Sequence, residues 1–152
     1  MYRRIHNIVT NVVAAAFGLA LASITRLEAQ QPDTSAVHLA TEASQVWLKL
    51  VDDGKYDESW DTAAPSFQQA VTKPAWSQAL AQARGPFEPF GERTLLGARY
   101  FETLPNAPPG PYVVIQYRTK VSGNREVIET VVPMRAGQAL WRVSGYFVKP
   151  AP

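Results

Sequence analysis

Tyr112-Val113-Val114-Ile115-Gln116-Tyr117-Arg118-Thr119-Lys120-Val121-Ser122-Gly123-Asn124 is the stretch that decides the fold. Val113, Ile115, Tyr117, Thr119 and Val121 recur with a period of two, which puts them on one face of a β-strand. Ser122-Gly123-Asn124 reads as a hairpin turn. The next strand runs from Glu126 to Met134, where Pro133 marks an edge or a bulge. Ala136-Gly137-Gln138 turns the chain again, and Leu140 to Lys149 forms a last strand with Trp141, Val143 and Phe147 in step. Upstream, Arg93 to Thr103 is a candidate strand rich in Leu, Tyr and Phe. It is separated by the link Leu104 to Pro111, whose prolines cannot continue a ladder. The second half therefore reads as a four-strand antiparallel meander.

The first half has a different period. Leu39, Ala43, Val46, Trp47, Leu50 and Val51 recur at helical spacing after a candidate cap at Thr34 or Ser35. Asp52-Asp53-Gly54 ends that helix, because glycine tolerates the left-handed exit conformation. Tyr56, Trp60, Ala63 and Ala64 mark a shorter helical piece that Pro65 is expected to stop, and Ser66 can cap a further turn carrying Phe67, Ala70 and Val71. Pro74 suits the first turn of a helix whose apolar face is Trp76, Ala79, Leu80 and Ala83, closed by Gly85-Pro86. Helices first and a meander after them is an α+β arrangement, with the helices packed on one face of the sheet.

The amino terminus is of another kind. Arg3 and Arg4 precede an apolar, alanine-rich run from Ile8 to Ala22, and cleavage is expected after Ala22 or after Ala29. These are the parts of an export signal, with Ala20-Leu21-Ala22 as the small-x-small site and Leu27-Glu28-Ala29, which lacks a small first residue, as the second option. The run falls short of the roughly 20 apolar residues of a membrane span. The organisation expected is a signal over residues 1–29, a leader over 30–35, one domain over 36–149 and a tail over 150–152, with the mature protein periplasmic or secreted. There is no cysteine, so disulfides, thiolate chemistry and lipid attachment of the bacterial lipoprotein kind are excluded. Lys and Arg number 15 against 13 acids. Cleavage after Ala29 leaves twelve of each, and cleavage after Ala22 thirteen of each. A neutral domain lacks the basic excess of a nucleic-acid binder.

Two clusters carry a family resemblance. One is Trp47-Leu48-Lys49-Leu50-Val51-Asp52-Asp53-Gly54-Lys55-Tyr56-Asp57-Glu58-Ser59-Trp60, and the other is Trp141-Arg142-Val143-Ser144-Gly145-Tyr146-Phe147. With Leu104-Pro105, Pro108, Gly110, Tyr112-Val113-Val114 and Glu129-Thr130 they resemble the secreted bacterial family catalogued as domain of unknown function 4019. Pro109, Pro111 and Leu140 depart from its pattern, in loops. More loosely, the Trp-x-x-Leu-x-Asp-x-Gly-x-Tyr helix and the final Trp-Arg-Val strand are similar to the nuclear-transport-factor-two-like, or cystatin-like, superfamily. That likeness implies a curved sheet wrapping the helices into a cone with an open pocket.

Few residues offer chemistry. His38, at the start of the first helix, reads as a solvated residue, and a general-base role is its only functional alternative. Asp52-Asp53-Gly54 with Asp57, Glu58 and Asp61 lacks calcium-loop spacing, since its glycine comes too early. No metal site or cofactor is expected, nor does a nucleophile elbow, phosphate loop or dinucleotide fingerprint occur. Glu129 and Arg142, mid-strand in adjacent strands, are expected to pair across the ladder. A carboxylate buried in a pocket could instead be a base. Aromatics are the richest feature: Trp47 and Trp141 read as core, while Trp60, Trp76, Tyr117 and Tyr146 are the candidate lining of a ligand pocket.

These residues point to an exported, non-enzymatic domain that binds a small apolar ligand or a protein partner, with homodimerisation open. The alternative is a cofactor-independent enzyme, isomerase- or dehydratase-like, using a carboxylate in an aromatic pocket. N-terminal sequencing of the protein from the cell envelope should find Ser23 or Gln30 first. An intact Met1 in the membrane fraction would overturn the export signal.

Overall fold

The computed structural model describes residues 34–137 and 140–152. The expected export signal, both candidate cleavage points and residues 30–33 of the expected leader lie outside the described residues. Helix α1 (Thr34–Asp52) turns Ala36, Ala40, Ser44, Trp47, Leu48 and Val51 inward. Its exit is a Schellman motif. Gly54 sits at φ +72°, its N–H donates to the Val51 carbonyl at 3.1 Å, and the Lys55 N–H donates to Leu50 at 2.9 Å.

Helix α2 (Tyr56–Asp61) ends before Pro65, which instead opens α3 (Pro65–Ala70) from within its first turn. Ala64 occupies the cap position there. Its N–H donates to the Val143 carbonyl at 2.8 Å, so the helices are tied to the sheet at this point. Ser66 therefore does not cap, and its hydroxyl reaches the Met134 sulfur at 3.1 Å. Helix α4 (Lys73–Arg84) starts with proline in its first turn and runs into a single 3-10 turn over Gly85–Phe87.

The strands are β1 (Phe90–Phe101), β2 (Tyr112–Val121), β3 (Arg125–Ala136) and β4 (Leu140–Pro150). They form one antiparallel sheet in the order β1-β2-β3-β4. The α+β arrangement of helices followed by a four-strand meander is thus observed. Strand β1 starts earlier than its apolar run suggests, and it leaves the ladder at the Phe101–Tyr112 pair, where the proline-rich link departs.

A bulge re-phases β4. Val132 lies opposite Gly145 while Pro133 lies opposite Val143, so Ser144 is the extra residue, and its hydroxyl donates to the Val132 carbonyl at 2.8 Å. Trp141 and Val143 face the helices before the bulge, Tyr146 and Val148 after it. Phe147 consequently turns to the outer face, away from Trp141 and Val143, contrary to the uninterrupted alternation expected from sequence.

The main core joins both layers: Trp47, Leu48, Val51, Trp76 and Leu80 from the helices meet Val113, Ile115, Val131, Trp141 and Val143 from the sheet. Trp47 contacts Trp76 at 6.0 Å and Tyr146 at 5.6 Å between ring centres, and Phe67 meets Trp76 edge-on at 5.0 Å. The indole N–H groups of Trp47 and Trp76 are satisfied at one residue. Trp47 donates to the Ser59 carbonyl at 2.9 Å and Trp76 to the Ser59 hydroxyl at 3.0 Å. On the outer face Leu104 covers Tyr112, Val132 and Met134, which pins the proline-rich link to the sheet.

Trp141 is 7% exposed within this core. Truncating Trp141 to alanine should cost about 3–5 kcal/mol. A urea melt measures that loss, and an unchanged midpoint would show the side chain to be dispensable.

Candidate functional site

Glu129 is the residue from which a candidate site must be built. It sits mid-way along β3 among Val127, Ile128, Thr130 and Val131, all apolar or uncharged, and it is 0% exposed. An ionised carboxylate so placed must be paired and hydrogen-bonded. Its Oε1 accepts from Tyr146 Oη at 2.6 Å, Arg93 Nη2 at 3.2 Å and Arg84 Nη1 at 3.3 Å. Its Oε2 accepts from Thr119 Oγ1 at 2.5 Å and Arg93 Nε at 2.6 Å.

Each donor comes from a different element. Arg84 closes α4, one turn after Leu80, so the helix's apolar face delivers its fully buried guanidinium into the core. Arg93 lies early in β1, opposite Thr119 of β2, and Tyr146 arrives from β4 opposite Val131. Asp52, the last residue of α1, completes the set. It accepts from Arg84 Nη2 at 2.8 Å and from Arg93 Nη1 and Nη2 at 2.6 and 2.8 Å. Arg84 also contacts Glu88 at 3.3 Å, and the Phe90 ring lies 3.5 Å from its guanidinium carbon.

The electrostatics follow from burial. For Arg93, burial works against the charge, but hydrogen bonds to Asp52 and Glu129 outweigh it and hold the guanidinium pKa above its usual value. Arg84 is raised too, its burial penalty outweighed by Tyr146, Glu129 and Asp52. Burial and then the Glu129 charge push the Tyr146 phenol well above its ordinary value. As pH climbs past about 10, the unfolded chain releases this proton while the folded chain keeps it. This tyrosine therefore favours the folded state below that pH, and its contribution is lost in stronger base.

The four aromatic residues singled out in the sequence occupy two environments. Trp76, Tyr117 and Tyr146 are each 3% exposed and belong to the core cluster. Tyr117 and Tyr146 flank Glu129, with Tyr117 directly opposite it on β2. Trp60 is only partly buried; it donates from Nε1 to the Val71 carbonyl at 2.7 Å, and Lys73 lies 5.3 Å from its ring centre. The expected pairing of Glu129 with Arg142 is not made. Glu129 lies opposite Val148 on the helix-facing side, while Arg142 lies opposite Met134 on the outer side.

The acidic stretch after α1 is spent on local partners: Asp53 on Lys49, Asp57 on Ser77, Glu58 on Lys55 and Asp61 on Lys73. His38 is exposed, 3.6 Å from Glu42. Among the described residues no three His, Cys, Asp or Glu side chains gather as a metal site would require. A shallow apolar depression of about 400 Å³ lies elsewhere, between Pro65, Ser66, Met134, Leu140 and Arg142. It contains none of the four aromatics.

Sequence reasoning missed Arg84, Arg93 and Thr119. A signal existed for Arg84, which follows Leu80 by four residues on the same helix face. Glu129 in an apolar strand was visible as an anomaly, but its partners are 36 and 45 residues away.

A family model described as "Protein of unknown function (DUF4019)" matches residues 43–146. That range contains Asp52, Arg84, Arg93, Thr119, Glu129 and Tyr146. No curated protein and no solved structure matches the chain.

Replacing Glu129 by glutamine leaves Arg84 and Arg93 with Asp52 as their main remaining counter-charge. Breaking a buried pair of this kind costs about 3–5 kcal/mol. Thermal melts at neutral pH should show that loss, and wild-type stability in the variant would mean that the carboxylate charge is not needed.

Proposed function

The chain belongs to the DUF4019 family of proteins of unknown function, and on that premise we propose that its domain is an exported, non-enzymatic binding module whose partner is a protein engaged at its surface. The observation that carries this reading is the state of Glu129. A general base needs an oxygen with a free lone pair facing a substrate. Both oxygens of Glu129 are filled by five donors from Arg84, Arg93, Thr119 and Tyr146. The isomerase- or dehydratase-like alternative would have to break this set before it could begin.

The packing of Trp76, Tyr117 and Tyr146 supports a surface in preference to an internal apolar ligand. Their rings contribute to the core that joins helices to sheet, so a ligand between them would have to displace that core. The outer face of the sheet, away from the helices, carries Gln116, Arg118, Phe147 and Lys149, with Arg118 paired to Glu126 at 3.0 Å, and offers a mixed apolar and charged surface to a partner.

Tryptophan fluorescence and thermal-shift titration with a panel of apolar metabolites should give no saturable binding. Photo-crosslinking in the cell envelope from Gln116 or Lys149 should give a discrete protein adduct. A metabolite that raises the melting temperature in wild type but not in Trp60→Ala would overturn the reading in favour of an internal ligand.

A further inference from the structure

The sheet has two edges, and they differ. Strand β4 buries Trp141, Val143, Ser144, Gly145 and Tyr146, whereas not one residue of β1 is buried. The outward N–H and C=O groups of β1 have no neighbouring strand among the described residues. Proteins usually blunt such an edge with charge or proline at its centre. Here the centre is Leu95 and Leu96, 50% and 49% exposed.

We propose that β1 pairs antiparallel with β1 of a second copy, about a twofold axis between Leu95 and Leu96, so that the two sheets run on as one. The occupant is specified by charge. In this register Glu92 of each copy lies opposite Arg99 of the other, and Leu95 lies opposite Leu96. Glu92 is on the outer face, where it meets Lys120 at 2.8 Å, and Arg99 is on the same face, opposite Val114. Among the described residues Arg99 has no carboxylate within 4.0 Å. The twofold therefore creates two equivalent Glu–Arg contacts and gives a counter-charge to the Arg99 of each copy.

Of the two irregularities in β1, the central one agrees with this axis. Leu95 lies opposite Tyr117 and Gly97 opposite Gln116, so Leu96 is the extra residue of a bulge. An axis beside Leu96 sets the two central bulges against each other and leaves Arg93 and Thr94 free to pair regularly with Ala98 and Gly97, with Glu92 just beyond them in a second irregularity of the strand. A strand-edge contact of this length is at the small end of specific interfaces, which gives a weak, concentration-dependent dimer. The inference does not rest on the binding of another protein and stands or falls apart from it.

Sedimentation velocity of the purified protein over a concentration series is the test. Wild type should shift from monomer to dimer with a dissociation constant of about 10 μM. Leu96→Asp should remain monomeric with an unchanged melting curve. Glu92→Arg and Arg99→Glu should each weaken the dimer about tenfold, and the double variant, in which the charges are exchanged, should recover it. A monomeric wild type throughout, a dimer that survives Leu96→Asp, or a double variant no better than the singles would each overturn the proposal.

Discussion

A single carboxylate fixes how the layers meet. Removing one ion from water costs several kcal/mol even after relaxation, and Arg84 and Glu129 are both removed completely. That cost is offset only when every hydrogen-bonding position is filled at once. Filling them requires α4 to deliver Arg84, β1 to deliver Arg93, β2 to deliver Thr119 and β4 to deliver Tyr146, while the end of α1 brings Asp52 to both guanidinium groups. A displacement of any of these elements leaves a buried charge short of a partner. Apolar packing between Trp47, Trp76 and the sheet supplies most of the favourable burial, but such contacts tolerate sliding in a way that the charged set does not.

Position along the chain explains why this end of the sheet carries the constraint. The Schellman exit of α1 at Gly54 places Asp52 at a helix terminus, and α4 ends at Arg84. The charges that these two helices bring to Glu129 and its partners thus sit at helix ends, where the chain must turn and the backbone is less able to satisfy itself. At the opposite end of the layers the tie is neutral: the Ala64 N–H donates to the Val143 carbonyl. One end is specified by charge and the other by backbone.

The architecture was legible in the sequence because it depends on local period. Val113, Ile115, Tyr117, Thr119 and Val121 do share a face, and Gly54 and Gly85 do end their helices, since each signal acts within a few residues. Pro133 announced a bulge, but the sequence could not say which strand would carry the extra residue, so Phe147 was assigned to the wrong face. The charged set was not legible for the same reason. Glu129 could be seen to be out of place, yet nothing near it pointed to Arg84 or Arg93, and the nearest opposite charge on the next strand, Arg142, faces the other way. Aromatic residues were equally ambiguous. Trp60 and Trp76 stand on neighbouring helices at similar spacing, and only the packing of Phe67 and Ser59 around Trp76 separates a core side chain from a half-covered one.

The extra residue at Ser144 acts as a phase shifter in a chain that otherwise counts in twos. Trp141 and Tyr146 are five positions apart, an odd interval that an unbroken strand would send to opposite faces. With Ser144 set aside, both reach the helix side, one to close the hydrophobic core and the other to meet Glu129. The length of β4 is therefore information in its own right, independent of composition. Two sequences with the same residue types, one of them a single residue shorter here, could not both keep the indole and the phenol inside. Among relatives of this chain, insertions and deletions within β4 should accordingly be rarer than substitutions, and a tolerated deletion should come with a compensating change in β3 across from it.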